Sequence, residues 1–261
     1  MYDCCPHDLT ELESTEAFLR HIEDTRSLKN TAVQGVNLTD TDVEAALTSV
    51  SAEDACFLGC DLSEAAEQHI RKTGGTIFPG FVGVPFRPYR SSLYTPAELM
   101  AGYERGRPET RDDTTDAHIY RYFKGRKRDG RDAPVMDALA FRIHDHAIDN
   151  ALRDLLSPGE GAERRVVGIM GGHQLERDAP LYRQVARLAW RLTQAGFFVA
   201  TGGGPGAMEA ANLGAALASY ESGAVDTAVD TLASAPHYED AAYLDRAYDV
   251  RERCPDRAES L

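Results

Sequence analysis

The residues with the clearest capacity for chemistry are glycines that close two apolar runs. Val166–Met170 ends in Gly171-Gly172-His173, and Phe197–Ala200 ends in Thr201-Gly202-Gly203-Gly204-Pro205-Gly206, after which alanine-rich helical sequence begins at once. Glycine lets the chain turn sharply and lets a ligand approach the main chain, while the N–H groups of a helix start favour an anion. A nucleotide phosphate is the natural guest. Gly202-x-Gly204-x-x-Ala207 fits the loose G-x-G-x-x-G/A pattern, and no Lys-Ser or Lys-Thr follows to make a Walker A loop. The bare pattern describes an empty strand–helix turn equally well. Two such turns, closing successive strands at one sheet edge, favour a site. Gly202, Gly203, Gly204 and Gly206 would present N–H groups, Gly171, Gly172 and His173 would line the facing edge, and Thr201 would add a hydroxyl. Glu209, in the first turn of the next helix, either meets a ribose hydroxyl or complements the helix dipole.

The elements that must position these residues are legible nearby. Val166–Met170 suits a strand buried on both faces. Asp178 and Pro180 signal a helix start, Asp as the cap and Pro in the first turn. Leu181, Val185, Leu188, Ala189 and Leu192 recur at helical spacing as one apolar stripe, and Gly196 supplies a left-handed stop. The result is a strand–helix–strand unit whose second strand empties into a glycine turn and a helix N-terminus.

Taken together, the strand with Gly171-Gly172-His173, the helix ending at Gly196 and the run TGGGPGAMEAANLGA from Thr201 resemble the first half of the LONELY GUY-type, lysine-decarboxylase-like Rossmann family. The resemblance spans roughly Val166 to Ala218. It implies a Rossmann-like nucleotide-binding domain. Many members are phosphoribohydrolases that cleave the base from a nucleoside 5′-monophosphate, and others only bind nucleotides. The family's further signature, P-G-G-x-G-T-x-x-E with its working glutamate, has no counterpart after Ala218, so no catalytic residue is assigned. The resemblance therefore implies either a binding module or a hydrolase whose catalytic motif lies beyond Leu261.

The fold expected is α/β, a Rossmann-like parallel sheet with flanking helices preceded by a smaller α/β region. Residues 1–156 form that N-terminal region, 157–164 the linker, and 165–261 the nucleotide-binding domain, incomplete at its C-terminus. The 261 residues carry a formal charge of −14. That balance argues against nucleic acid and anionic membrane surfaces, both of which call for a positive footprint. No apolar run approaches the ~20 residues that span a bilayer, and the acidic N-terminus is no signal peptide. The expected setting is cytoplasmic and reducing. The expected partner is a nucleotide or nucleoside monophosphate, without cofactor or metal, and a homo-oligomer is left open.

Elsewhere the chain offers weaker signals. Cys4-Cys5 with His7 reads as a frayed terminus rather than a metal site, and Cys56 and Cys60 read as small buried residues. A helix is expected around Ser14–Leu28 and a strand over Ala32–Leu38. Thr41-x-x-Glu44 and Thr95-Pro96-Ala97-Glu98 look like capping boxes, the second opening a helix to about Glu104. Ala55–Gly59 and Thr76–Phe78 read as strands around a helix that starts at Ser63 and ends at Gly74-Gly75; no exact repeat is visible. Arg87 and Arg90, in a proline-punctuated loop with two tyrosines, contact either a phosphate or the protein's own surface. The basic run 124–131 reads as a solvated loop. Pro134–Leu156 reads as a long helix whose His144-Asp145-His146 points to opposite sides and does not suit a metal. His237 reads as an exposed loop histidine.

Overall fold

The computed structural model describes residues 9–127, 133–157 and 163–255. The first pair of cysteines, His7, residues 128–131 of the basic run and most of the interdomain linker lie outside them. The chain divides into two compact units, Met1–Leu99 with Thr115–Leu155, and Met100–Thr114 with Leu156–Leu261.

The first unit alternates strand and helix: β1 (Thr10–Leu12), α1 (Thr15–Thr25), β2 (Thr31–Gln34), α2 (Thr41–Thr48), β3 (Cys56–Leu58), α3 (Glu64–Lys72) and β4 (Thr76–Phe78). The strands form one parallel sheet in sequential order, β1-β2-β3-β4. The α/β class with a parallel sheet and flanking helices is thus established, and the sheet of four strands belongs to the N-terminal half. Val33 pairs with Phe57 and Gln34 with Leu58, and the ladder continues past the strands through an Asn37–Asp61 bridge. This register exposes a near-repeat, Val33-Gln34-Gly35-Val36-Asn37-Leu38 over Phe57-Leu58-Gly59-Cys60-Asp61-Leu62. Gly35 and Gly59 both take left-handed φ, and Tyr89 fills the space in front of both, where a Cβ would stand 2.4 and 2.3 Å from its atoms. Phe18, Ile22, Leu28, Val33, Leu38, Leu47, Phe57 and Ile70 form the core.

Helix starts here follow local chemistry only in part. Ser14 and Ser63 cap α1 and α3, accepting from Ala17 N and Ala66 N. The box expected at Thr41 does not form: the N-cap is Asp40, with no side-chain bond. The second box does form, Glu98 accepting from Thr95 N at 2.7 Å and Thr95 Oγ1 from Glu98 N at 3.2 Å. Its helix, α4 (Pro96–Leu99), is a single turn rather than a helix to Glu104. Two long helices complete the unit, α5 (Thr115–Lys127) and α6 (Val135–Leu156), so the first residues of the basic run are helical.

The second unit begins away from the main sequence block. Residues 100–114, placed by the sequence reading with the N-terminal region, contain a 3-10 turn at Pro108–Asp113 and fasten onto the last helix of the unit. Its other elements are β5 (Arg165–Ile169), α7 (Pro180–Gln194), β6 (Phe197–Thr201), α8 (Ala207–Ala216), α9 (Ser222–Leu232) and α10 (Tyr243–Arg253). β5 and β6 form a two-stranded parallel sheet. Tyr103 donates to Asp245 at 3.0 Å and stacks on Tyr248, and Arg105 pairs with Asp249 and Glu252 of α10.

Three local expectations change in this unit. α7 starts at Pro180 with Ala179 as its N-cap, so Asp178 is not the cap. Its buried face is Tyr182, Ala186 and Ala189, whereas Leu181 and Leu188 of the expected stripe are exposed. The reason is the close approach of α8: a Cβ on Gly214 would lie 2.0 Å from the Ala186 carbonyl oxygen, so only small residues fit the contact. β5 is not buried on both faces either, with Val166 45% exposed. Among the described residues no third strand joins β5 and β6; the chain after α8 continues as α9 and α10, and α9 packs on α7. Gly196 stops α7 at φ 79° as its sequence position implies.

Candidate functional site

The pairing of β5 with β6 runs in register from Arg165–Phe197 to Ile169–Thr201, so both strands leave the sheet at one edge. Both glycine turns follow there directly. Gly171, Gly172, Gly203 and Gly206 have φ of 86°, 66°, 71° and 77°, the left-handed region that side chains resist. The Gly172 carbonyl accepts from Leu175 N at 2.9 Å and from Ala207 N at 3.2 Å. A Cβ on Gly206 would stand 1.9 Å from that same oxygen. The first turn is therefore docked on the start of α8, and Gly206 is required by contact as well as by conformation.

Gly206 is also the N-cap of α8, and no side chain caps this helix. Its first-turn amides thus meet no capping oxygen from the cap residue, the condition under which a helix start attracts an anion. Gly171, Gly172, His173, Gly202 and Gly203 are exposed and Gly204 is half-buried. Thr201 Oγ1 accepts from Gly203 N at 3.1 Å and exchanges hydrogen bonds with the Asn212 amide at 3.0–3.2 Å. Its hydroxyl therefore shapes the turn. The structure brings together the glycines, Thr201 and His173 singled out from the sequence.

Glu209 behaves differently. Its carboxylate accepts from Arg177, with Nε at 3.1 Å and Nη2 completing a two-point pair, and from the hydroxyls of Tyr182 at 2.9 Å and Tyr243 at 2.8 Å. Arg177 Nε and both tyrosine hydroxyls converge on Oε2, and Oε1 takes Arg177 Nη2 alone. The alternatives weighed for Glu209, a ribose contact or a dipole effect alone, give way to an inward ion pair. Arg177 is 1% exposed, donates to the Tyr243 carbonyl at 2.9 Å, and lies 3.2 Å from the centroid of the Tyr243 ring. Burial works to lower the Arg177 guanidinium, but the Glu209 carboxylate outweighs it and holds the group above its ordinary range. Burial, then the Glu209 charge, pushes the Tyr182 and Tyr243 hydroxyls up. Neither tyrosine ionises at physiological pH, so both remain donors. The sequence reading missed Arg177, Tyr182 and Tyr243, because no spacing links a loop, α7 and α10 before the chain folds.

The remaining candidates resolve one by one. Arg90 is buried, lies 3.5 Å over the Tyr94 ring and pairs with Glu98, so its charge is spent within the protein. Arg87 is exposed and reaches the Gly35 carbonyl at 3.4 Å. Cys56 and Cys60 are half-buried rather than buried, and Cys60 Sγ donates to the Val33 carbonyl. His144 packs edge-on against Phe86 and meets Tyr94 Oη at 3.0 Å. His237 is half-exposed and packs at a tilt against the Tyr238 ring. Among the described residues no group of three or more side chains is placed to hold a metal ion, and no helix is long and apolar enough to cross a membrane.

No family model matches this chain, nor does any curated protein or solved structure.

Proposed function

We propose that the second unit binds a nucleotide, a nucleoside 5′-monophosphate in the first instance, at the edge formed by Gly171–His173 and Thr201–Gly206. The observation that carries this reading is the pairing of two glycine turns at one strand edge, one docked through the Gly172 carbonyl on the first amide of α8, a helix that no side chain caps. The likeness of these two turns to those of LONELY GUY-type proteins supports the same ligand class. The 5′-phosphate would sit against the amides of Gly204, Gly206 and Met208, with the ribose and base over the first turn.

Hydrolysis of the N-glycosidic bond is the competing reading, and it needs a carboxylate beside the sugar. Glu209 is committed to Arg177, Tyr182 and Tyr243. Binding without turnover is therefore the preferred reading. Calorimetry with AMP, GMP, CMP, UMP and the matching nucleosides tests it. At least one monophosphate should bind, with its nucleoside at least ~10-fold weaker, a difference of about 1.4 kcal/mol. Gly204→Val should abolish binding while the protein stays folded, since a Cβ there meets only the mobile end of Met208 but stands in the path of the phosphate. Silence toward every nucleotide would refute the proposal, and release of free base at about 1 s⁻¹ or faster would favour the hydrolase.

A further inference from the structure

Two of the chain's five methionines meet at the second glycine turn. Met170 follows β5 directly, and Met208 lies in the first turn of α8. A Cβ built on Gly202 would stand 3.0 Å from Met170 Cε, 3.5 Å from Met170 Sδ and 3.2 Å from Met208 Sδ. Both thioethers therefore pack on the side of Gly202 where a side chain would point. Met208 Cε also comes within 2.6 Å of the Cβ position of Gly204. Met208 is half-buried, whereas Met170 is 71% exposed. A soft, oxidisable sulfur is thus held in water against the turn that precedes the first amides of α8. Exposure of a methionine sulfur decides how readily an oxidant reaches it. Met136, 59% exposed on α6 of the first unit, is the reference for exposure alone.

We propose that Met170 is a reversible oxidation site that controls binding at this edge, an inference that rests on the nucleotide reading above. The oxidant is hydrogen peroxide. A lone pair of Met170 Sδ attacks one peroxide oxygen and the O–O bond breaks. The proton of the transferred hydroxyl passes to the departing hydroxide, which leaves as water. The thioether has then lost two electrons to the peroxide and become a sulfoxide. Its oxygen carries negative partial charge and accepts hydrogen bonds strongly. It stands beside the turn whose Gly204, Gly206 and Met208 amides would receive the phosphate, so it competes for those donors and repels the incoming anion. A sulfoxide reductase reverses the change, two thiols becoming a disulfide while the oxygen departs as water.

Peroxide treatment of the full chain tests this, read by peptide mass spectrometry and by calorimetry with AMP, GMP, CMP and UMP. Met170 should gain its oxygen before the half-buried Met100 and Met208. Saturating nucleotide should slow oxidation at Met170 and leave the rate at Met136 unchanged. Conversion of Met170 should weaken binding about tenfold or more, the scale of one lost hydrogen bond to a charged group. Methionine sulfoxide reductase with dithiothreitol should restore it. Met170→Leu, close in volume, should bind like the untreated protein and keep its affinity under peroxide. Met170→Gln, which carries an acceptor oxygen at similar reach, should bind weakly with no oxidant present. Untreated protein that binds no nucleotide would overturn the nucleotide reading and this inference with it. Equal affinity before and after oxidation of Met170, or peroxide-sensitive binding in Met170→Leu, would overturn this inference alone and leave that reading standing.

Discussion

At Glu209 four donors meet one carboxylate, and the energetics of that arrangement are dominated by what happens when it is broken. Arg177 is 1% exposed, so its charge has no water to fall back on. Removing one partner of a buried pair typically costs 3–5 kcal/mol, because the other charge is left uncompensated. Glu209→Gln is expected to destabilise the protein by roughly that amount, read by urea denaturation. The double variant Arg177→Met/Glu209→Gln should recover part of the loss, since no buried charge is then stranded. Strict additivity of the two single losses would show that they do not act as a pair. The pair also ties the first turn of α8 to the loop after β5, so its loss should loosen the edge where the glycines stand.

Between elements, the contact of α7 with α8 is set by the absence of a side chain. Helix propensity favours alanine over glycine by about 1 kcal/mol in a helix interior, so Gly214→Ala ought to stabilise an isolated helix. In the folded protein the new Cβ would lie 2.0 Å from the Ala186 carbonyl oxygen and 3.0 Å from Trp190 N, both backbone atoms that move only with α7. Overpacking of that kind costs about 1–3 kcal/mol, more than propensity returns. Gly214→Ala should therefore lower the thermal midpoint, and a rise would show that α7 and α8 can separate without loss. The same close packing turns α7, so that Tyr182 and Ala186 face inward while Leu181 and Leu188 face out.

Across the whole molecule, protonation distinguishes the first unit near neutral pH. Burial holds His144 below its ordinary value of 6.5, against the pull of Asp145 and with a further push from Arg90. A histidine with a depressed folded value binds its proton more readily when unfolded. Stability is then fully present above about 6.5 and is lost as pH falls through the folded value. The thermal midpoint is expected to drop between pH 7.5 and 5.5, with a shallower slope for His144→Asn. Equal slopes in calorimetry would remove His144 as the source. The Tyr103 hydroxyl, pushed up to about 12 by burial and then by its bond to Asp245, stays protonated throughout this range.

Residue order alone sets whatever depends on neighbours along the chain. Strand–helix alternation, the glycine turns closing β5 and β6, the left-handed Gly196 and the Ser63 cap are all local: glycine is needed where φ is positive, and a hydroxyl caps the amide three residues on. The near-repeat at Gly35 and Gly59 was also written there, but degenerate residues hid it until register set Val33 beside Phe57. Tertiary structure alone decided which face of each element is covered. It exposed Val166 where an apolar run suggested full burial, because the described strands leave β5 with β6 as its sole partner. It carried residues 100–114 onto α10 and turned Glu209 from the expected ligand edge to Arg177. Those outcomes rest on contacts between residues 32 to 142 positions apart, whose energies exist only once the chain has closed on itself.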